Sequence, residues 1–478
     1  MRGILLGLVF FSLLPLIFIR GPFVGILMWF WISLMAPQFV VWGSVFANIP
    51  YALIVAVTTL LSLVFFTREP KLPPADKTSW LLILLMIWIS ITSWFGTGPP
   101  AEIYNNWRLA EKMLLMTLVA YTLTTSRERL EQLIAVCALS IAFYGLKGGV
   151  FALLHGGNYR VYGPGNSMIG DNNELGIALT IILPLLFYLL QRHRQSYWKW
   201  PMRGLIGFTL LGDFFTYSRG GLLAICAMVG MAWLRSRHKL TSAALTVLFA
   251  AAVWNFAPSQ WVGRMETIQN YHQDNSAEQR LYMWRLAWAM TLRHPIIGAG
   301  FNWSFAPADV NRQLTGQGFH WPFGGDPAIQ LPLSGQDLPP LINPRAEHSI
   351  WFEAISSHGF PGLILFVGIL LSAMIDARRL VRMARARPDL AWADGLGRML
   401  QASLVGFAVG GTFASLEFYD GIYAVVIVAA AARRVVAGEL AKASGPIDEA
   451  ALTQLHWRGA RQPVEAAAAG LRRPALPR

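Results

Sequence analysis

Residues 346–373 read AEHSIWFEAISSHGFPGLILFVGILLSA. From Leu363 to Ala373 no side chain is ionisable, and with the turns before it the run is long enough for a helix to cross a hydrocarbon core about 30 Å thick. Charged groups are expensive in hydrocarbon, yet Glu347, His348, Glu353 and His358 crowd the start of this segment. They must lie at a water boundary, be paired, or serve a purpose. The rest of the chain narrows the choice.

Of the 478 residues, 55% are hydrophobic and only 14% charged, and apolar stretches of spanning length recur from end to end. A soluble core could not hide them all, so the chain reads as a polytopic membrane protein. The period-2 alternation of a membrane barrel is absent, which makes the spans helices. The net charge of +13 does not point to nucleic acid. Basic residues gather in short loops instead: Arg192, Arg194, Lys199 and Arg203; Arg235, Arg237 and Lys239; Arg378, Arg379, Arg382, Arg385 and Arg387; Arg433 and Arg434. That is the positive-inside pattern, for which anionic lipid headgroups are sufficient partners. Cys137 and Cys226 both lie in apolar segments, which argues against an exported disulfide and a thiolate metal site. The apolar N-terminus runs through Arg20-Gly21-Pro22 without a small-residue cleavage site and reads as a retained anchor.

Expected spans are 4–19, 22–36, 50–66, 79–95, 109–124, 131–154, 175–190, 202–217, 219–234, 240–256, 348–374, 395–415 and 418–437. The first two are short and share a break at Arg20-Gly21-Pro22, so the fold class is all-α with about 12 crossings, 13 if both are complete. With Arg433-Arg434 cytoplasmic, 191–203, 235–239 and 376–394 fall inside, and 155–174 and 257–347 outside. Four regions follow: transmembrane helices in 1–256, a large exported loop in 257–347, further transmembrane helices in 348–437, and a mobile cytoplasmic tail in 438–478. Within the loop, Ser276 to Arg293 has the pattern of a Trp-rich amphipathic helix at the outer interface, with Ser276 as N-cap. Gly316 to Pro344 is dense in Gly and Pro and reads as a lid or substrate-binding loop. No nucleotide-binding motif is present in the sequence.

Residues able to carry chemistry collect on the outer side. Arg219, in Tyr217-Ser218-Arg219-Gly220-Gly221, stands at the start of a span; it suits phosphate capture and equally suits a snorkelling role. Arg280 and Arg285 are five residues apart, about 140° around a helix, so at most one need face a site. For Arg285 an interfacial helix with solvated arginines is at least as good a reading, and spacing alone does not choose between the two. His348 is a base of near-neutral character at the span's mouth. His358 lies ten residues on, about 15 Å along a helix, and reads as structural beside a break at Gly359-Phe360-Pro361-Gly362. No HExxH spacing exists, and neither a metal nor a cofactor is expected. Asp171, Glu174, Glu417 and Asp420 are unranked candidates to orient a histidine or a sugar. Glu347 is a candidate without a defined role.

Three elements in order carry a resemblance: Tyr217 to Gly221; Arg280-Leu281-Tyr282-Met283-Trp284 with His294-Pro295-Ile296-Ile297-Gly298-Ala299-Gly300; and Glu347-His348-Ser349 with Gly359 to Phe366. Together they resemble the O-antigen ligase/polymerase superfamily, over about 170–370 directly. The N-terminal part, PLIFIRGPFVGILMWFWISLMAPQ, is similar to the branch of exosortase-associated O-glycosylation ligases. The resemblance implies a metal-independent GT-C-type glycosyltransferase of the bacterial inner membrane, with its active site facing the periplasm. Its donor would be a glycan on undecaprenyl diphosphate, and its acceptor a hydroxyl of lipid A–core, a protein or another exported molecule. By the same resemblance Arg219 and Arg280 would hold the diphosphate, and His348 would be the general base. A polymerase of the same superfamily is the alternative. A lipid-linked-sugar transporter is a distant one, since it predicts midplane charges and internal repeats.

Overall fold

The computed structural model describes residues 2–40, 49–192, 196–235, 238–241, 243–244, 247–248, 261, 263, 275–310, 341, 343, 345–385 and 387–443. Among them the regular structure is helical and contains no strand. The helices are α1 (Arg2–Ile19), α2 (Pro22–Met35), α3 (Tyr51–Leu61, prolonged by a π turn, Ser62–Phe66), α4 (Lys77–Trp94), α5 (Pro100–Leu123), α6 (Arg127–Leu154) and α7 (Asn172–Arg192). They continue as α8 (Ser196–Phe214), α9 (Arg219–Arg235), α10 (Asn275–Arg293), α11 (Ile350–Ala384), α12 (Ala391–Gly410) and α13 (Asp420–Ala443).

Six described helical segments are long and apolar enough to cross a membrane: Pro22–Phe39, Lys77–Trp94, Arg127–Leu154, Asn172–Arg192, Ile350–Ala384 and Asp420–Lys442. Gly3–Ile19, Tyr51–Phe66 and Arg219–Leu234 are shorter apolar helices. The molecule is an all-helical, multi-pass membrane protein. The expected span 240–256, the Gly/Pro-rich stretch 316–344 and the end of the chain lie wholly or largely outside the described residues. Chain contacts separate residues 1–433 from 434–478. Within the expected tail, helix α13 persists to Ala443.

Helix α7 is apolar nearly all round and buried from Asn172 through Leu186, the mark of a helix surrounded by protein. It packs against α8, α9 and α12, and α12 packs against α9 and α11. Helices α6 and α8 meet backbone to backbone: a Cβ on Gly212 would lie 2.6 Å from the Gly145 carbonyl oxygen, and one on Gly149 2.4 Å from that of Phe208. Small residues permit this approach, as between helices in lipid. Caps begin others: Asp76 accepts from the Thr78 and Ser79 amides, 3.1 Å each, and Ser126 from that of Arg129.

Ionic groups mark one end of the bundle. Fully buried Asp376 is held by Lys77 (2.9 Å) and Arg433 (3.0 Å), and Glu131 by Arg127 (3.0 Å) and Arg192 (2.6 Å). Asp376 lies roughly 40 Å along α11 from its start. The starts of α7, α9, α11 and α13 gather at the other end with α10.

Two expectations about this end are corrected. Helix α11 starts at Ile350, not at residue 348, because His348 has a left-handed backbone (φ 48°) that no α-helix accommodates. Helix α10 starts at Asn275, which places Ser276 inside it rather than at its cap. Its apolar face is covered by protein: Met283, Leu286, Ala287 and Met290 pack with Ala299, Trp303, Val310 and Leu341.

Candidate functional site

The break in α11 explains two of the conspicuous sequence elements together. Gly359 is non-helical (φ 68°, ψ −174°), and Pro361 has no amide to offer Ser357. The carbonyls freed there must find other donors. The Ala299 amide donates to Ser356 (2.8 Å), the Gly300 amide to Ser357 (2.9 Å), and the Trp88 indole to His358 (2.8 Å). In return the Phe360 amide donates to Pro295 (2.8 Å). A Cβ on Gly298 would lie 2.4 Å from the Ser357 oxygen, and one on Gly359 2.1 Å from that of Ile296. The segment 294–300 is thus the mate of the helix break. His358 belongs to this structural unit: it is fully buried, its Nδ1 is 2.7 Å from Thr92 Oγ1, and Phe301 and Phe418 pack edge-on to its ring.

The first element is a turn between α8 and α9. Tyr217 is left-handed (φ 57°), and its hydroxyl donates to the Gly157 carbonyl (2.6 Å). Ser218 caps α9 by accepting from the Gly221 amide (3.0 Å), and its hydroxyl reaches Asn173 Oδ1 (3.1 Å). The Asn172 amide group donates to the Thr216 carbonyl (2.8 Å), which stitches the start of α7 to this turn. Arg219 is the first residue of α9 and half-buried.

The segment carrying His348 is held from both sides. Trp284, of α10, donates its indole N–H to the Glu347 carbonyl (2.9 Å) and stacks on Phe352 with ring centroids 5.3 Å apart. Ser304 donates to the Arg345 carbonyl (2.6 Å). Trp351 donates to Thr412 (2.9 Å). These anchors hold His348 in a backbone conformation that costs an ordinary residue about 1–3 kcal/mol.

Between α7, α10 and this segment lies a cavity of about 410 Å³. His348, Arg280 and Arg345 line it with Asp171, Asn173 and Gln279, and Met283 and Ala346 complete the wall. Of the residues singled out from sequence, the fold brings Arg280, His348 and Asp171 together. Arg285 is exposed and does not line the cavity. Arg219 is not in the lining either; it adjoins Ser218, whose partner Asn173 is.

Behind the cavity stand carboxylates. His348 Nδ1 is 3.8 Å from Glu174 Oε1, an ion-pair distance and too long for a hydrogen bond; the imidazole is 39% exposed and the carboxylate 9%. Glu347 is 6% exposed, and burial pushes its carboxyl up to about 7, with the His348 charge opposing. Its side chain does not share a helical face with His348, because neither residue is in a helix. Glu417 is 1% exposed and finds no hydrogen-bond partner for either oxygen among the described residues. Burial, then the Glu353 and Glu347 charges, holds it well above the usual carboxylate range. The arrangement offers a base, guanidinium donors for an anion, and in Glu174 a carboxylate at ion-pair distance from that base.

The chain itself carries a family signature over these elements. Residues 204–367 match the O-antigen ligase family (Wzy_C). That match includes Arg219, Arg280, Arg285, Arg345, Glu347 and His348, and it supports a place for the chain in the O-antigen ligase superfamily. Residues 1–194 match a family of unknown function, DUF5935. Among curated proteins no sequence matches the chain. The O-antigen ligase region covers α9, α10 and the start of α11, while Asp171, Asn173 and Glu174 come from the other matched segment. Two cavity features were not evident as site residues in the sequence. Arg345 carried no signal beyond its place three residues before His348. Glu174 was one of four unranked acids until the fold set it beside the imidazole.

Proposed function

We propose that this protein is a membrane glycosyltransferase, O-antigen ligase-like, that moves a glycan from undecaprenyl diphosphate to a hydroxyl acceptor on the periplasmic face of the inner membrane. The observation that carries the reading is the cavity joining His348 to Arg280 within a chain that matches the O-antigen ligase family. In this reading the chain makes about 12 crossings, with 257–347 exported and 438–478 cytoplasmic.

The acceptor oxygen attacks the anomeric carbon as its proton passes to His348, and the carbon–oxygen bond to the diphosphate breaks. A weakly acidic hydroxyl gains from a positioned base, typically 10²–10⁴-fold in rate. Glu174, near Nδ1, stabilises the imidazolium that results. Arg280 meets the charge developing on the leaving diphosphate, and Arg219 supports it from the neighbouring turn. The sugar–diphosphate bond is already activated, so no nucleotide or metal enters the step. Direct displacement inverts the anomeric centre.

The test is transfer by the purified full-length protein from an undecaprenyl-diphosphate glycan to candidate acceptors. Loss of transfer in folded His348→Ala and Arg280→Ala variants supports the reading; full transfer by both overturns the site. A wild type that only lengthens the lipid-linked glycan is a polymerase.

A further inference from the structure

The cavity contains a second guanidinium, Arg345, to which neither the family match nor the reading above gives a role. Its setting differs from that of the cations at the ionic end of the bundle. Lys77, Arg127, Arg192 and Arg433 each have a carboxylate within 3.0 Å. The Arg345 guanidinium makes no hydrogen bond or ion pair among the described residues, although it is half-buried and lines the cavity. Its main chain is fixed by Ser304 at 2.6 Å, and two residues on the chain is fixed again by Trp284. Arg345 and His348 therefore project from one short, pinned segment into one cavity. An unpaired guanidinium held in this way, beside Arg280, suits an anion with more than one charged oxygen.

The chemistry of the reaction tells which state of that anion needs it. A glycosylated lipid diphosphate is esterified at both ends and carries one charge on each phosphorus. When the glycosidic bond breaks, the departing oxygen keeps the bonding pair, and the terminal phosphate gains roughly one further charge near neutral pH. That charge is absent from the bound donor and present in the transition state and product. A donor directed at it accelerates the reaction rather than tightening substrate binding.

We propose that Arg345 is a phosphate-contact residue of the His348 cavity and that it engages the leaving diphosphate more strongly than the glycosylated one. The proposal rests on the lipid-diphosphate donor of the preceding section. It separates two guanidinium roles: Arg280 in both states, Arg345 chiefly in the later one.

The experiment uses full-length protein in nanodiscs and two probes, undecaprenyl diphosphate and the glycan-linked donor, titrated against wild type, Arg345→Gln and Arg345→Lys. Melting temperatures within a few degrees of wild type establish that the variants fold. Arg345→Gln is expected to weaken undecaprenyl diphosphate about tenfold and the glycan-linked donor less than about threefold. Its kcat should fall by one to two orders of magnitude with KM nearly unchanged. Arg345→Lys, which keeps the charge without the fork, should fall between. Equal binding of undecaprenyl diphosphate by wild type and folded Arg345→Gln, with equal kcat, overturns the role of Arg345 and leaves the donor reading intact. If Arg345→Gln does not fold, a wild-type undecaprenyl diphosphate affinity and kcat in Arg345→Lys overturns it in the same way. A wild type that binds neither probe overturns the donor reading and this inference with it.

Discussion

At the scale of single residues, His348 combines partial exposure, a left-handed backbone and a carboxylate at ion-pair distance. His348→Ala should lower the transfer rate by about 10²–10⁴-fold without abolishing donor binding, read as kcat against donor affinity. Glu174→Gln keeps the shape and removes the charge, so kcat should fall several-fold more than KM changes. Glu347 makes a separate prediction about stability. Its carboxyl, ordinarily near 4.5, is pushed up to about 7 in the folded protein, so the native state binds the proton more tightly than the unfolded chain. The stabilisation is complete below about 4.5, falls as pH rises from there to about 7, and is lost above it; its ceiling is roughly 3 kcal/mol. Thermal melts of wild type and Glu347→Gln across pH 5–8 check this: the decline should flatten in the variant. Sequence made His348 and Arg280 legible because both sit in short ordered motifs. Arg345 was illegible because an arginine between a Gly/Pro-rich stretch and the next helix has no period to give its facing. Glu174 lies in a distant segment, and only the packing of α7 beneath residue 348 selects it over Asp171, Glu417 and Asp420.

At the scale of elements, the interlock between 294–300 and the α11 break is the rigid support of the site. Gly298 and Gly359 are both left-handed (φ 75° and 68°), and each faces a carbonyl oxygen at a distance that no Cβ tolerates. Gly359→Ala or Gly298→Ala should therefore cost several kcal/mol or prevent folding, measured as loss of monodisperse protein or a large fall in melting temperature. Arg285→Ala should behave in the opposite way, with near wild-type stability and transfer, since Arg285 is exposed outside the cavity lining. The break itself was readable from Gly359, Pro361 and Gly362. Its mate was not, because the pairing depends on main-chain groups that carry no side-chain signature. The same limit shifted the start of α11: an apolar pattern gives a helix its approximate extent, while the backbone at His348 sets where it begins.

At the scale of the whole molecule, apolar run length made the helical membrane class plain. The end of the bundle holding the cavity gathers the segments that the basic loops assign to the outside, and the ionic end gathers Arg192, Arg378 and Arg433. Single cysteines in a background lacking Cys137 and Cys226 test that polarity. A cysteine at Asp309 should react with a membrane-impermeant maleimide in intact cells, and one at Arg379 only after lysis; the reverse pattern contradicts the proposed topology. The number of crossings is less legible than the class, because short segments such as α1 and α3 leave run length ambiguous. The central claim, that the His348 cavity transfers a glycan from a lipid diphosphate, is tested most directly in one measurement. Purified wild type and folded His348→Ala are incubated with an undecaprenyl-diphosphate glycan and a hydroxyl acceptor, without nucleotide or added metal, and the glycosylated product is quantified. The account predicts product from the wild type and at most about a hundredth of its rate from the variant; equal rates from the two proteins would contradict it.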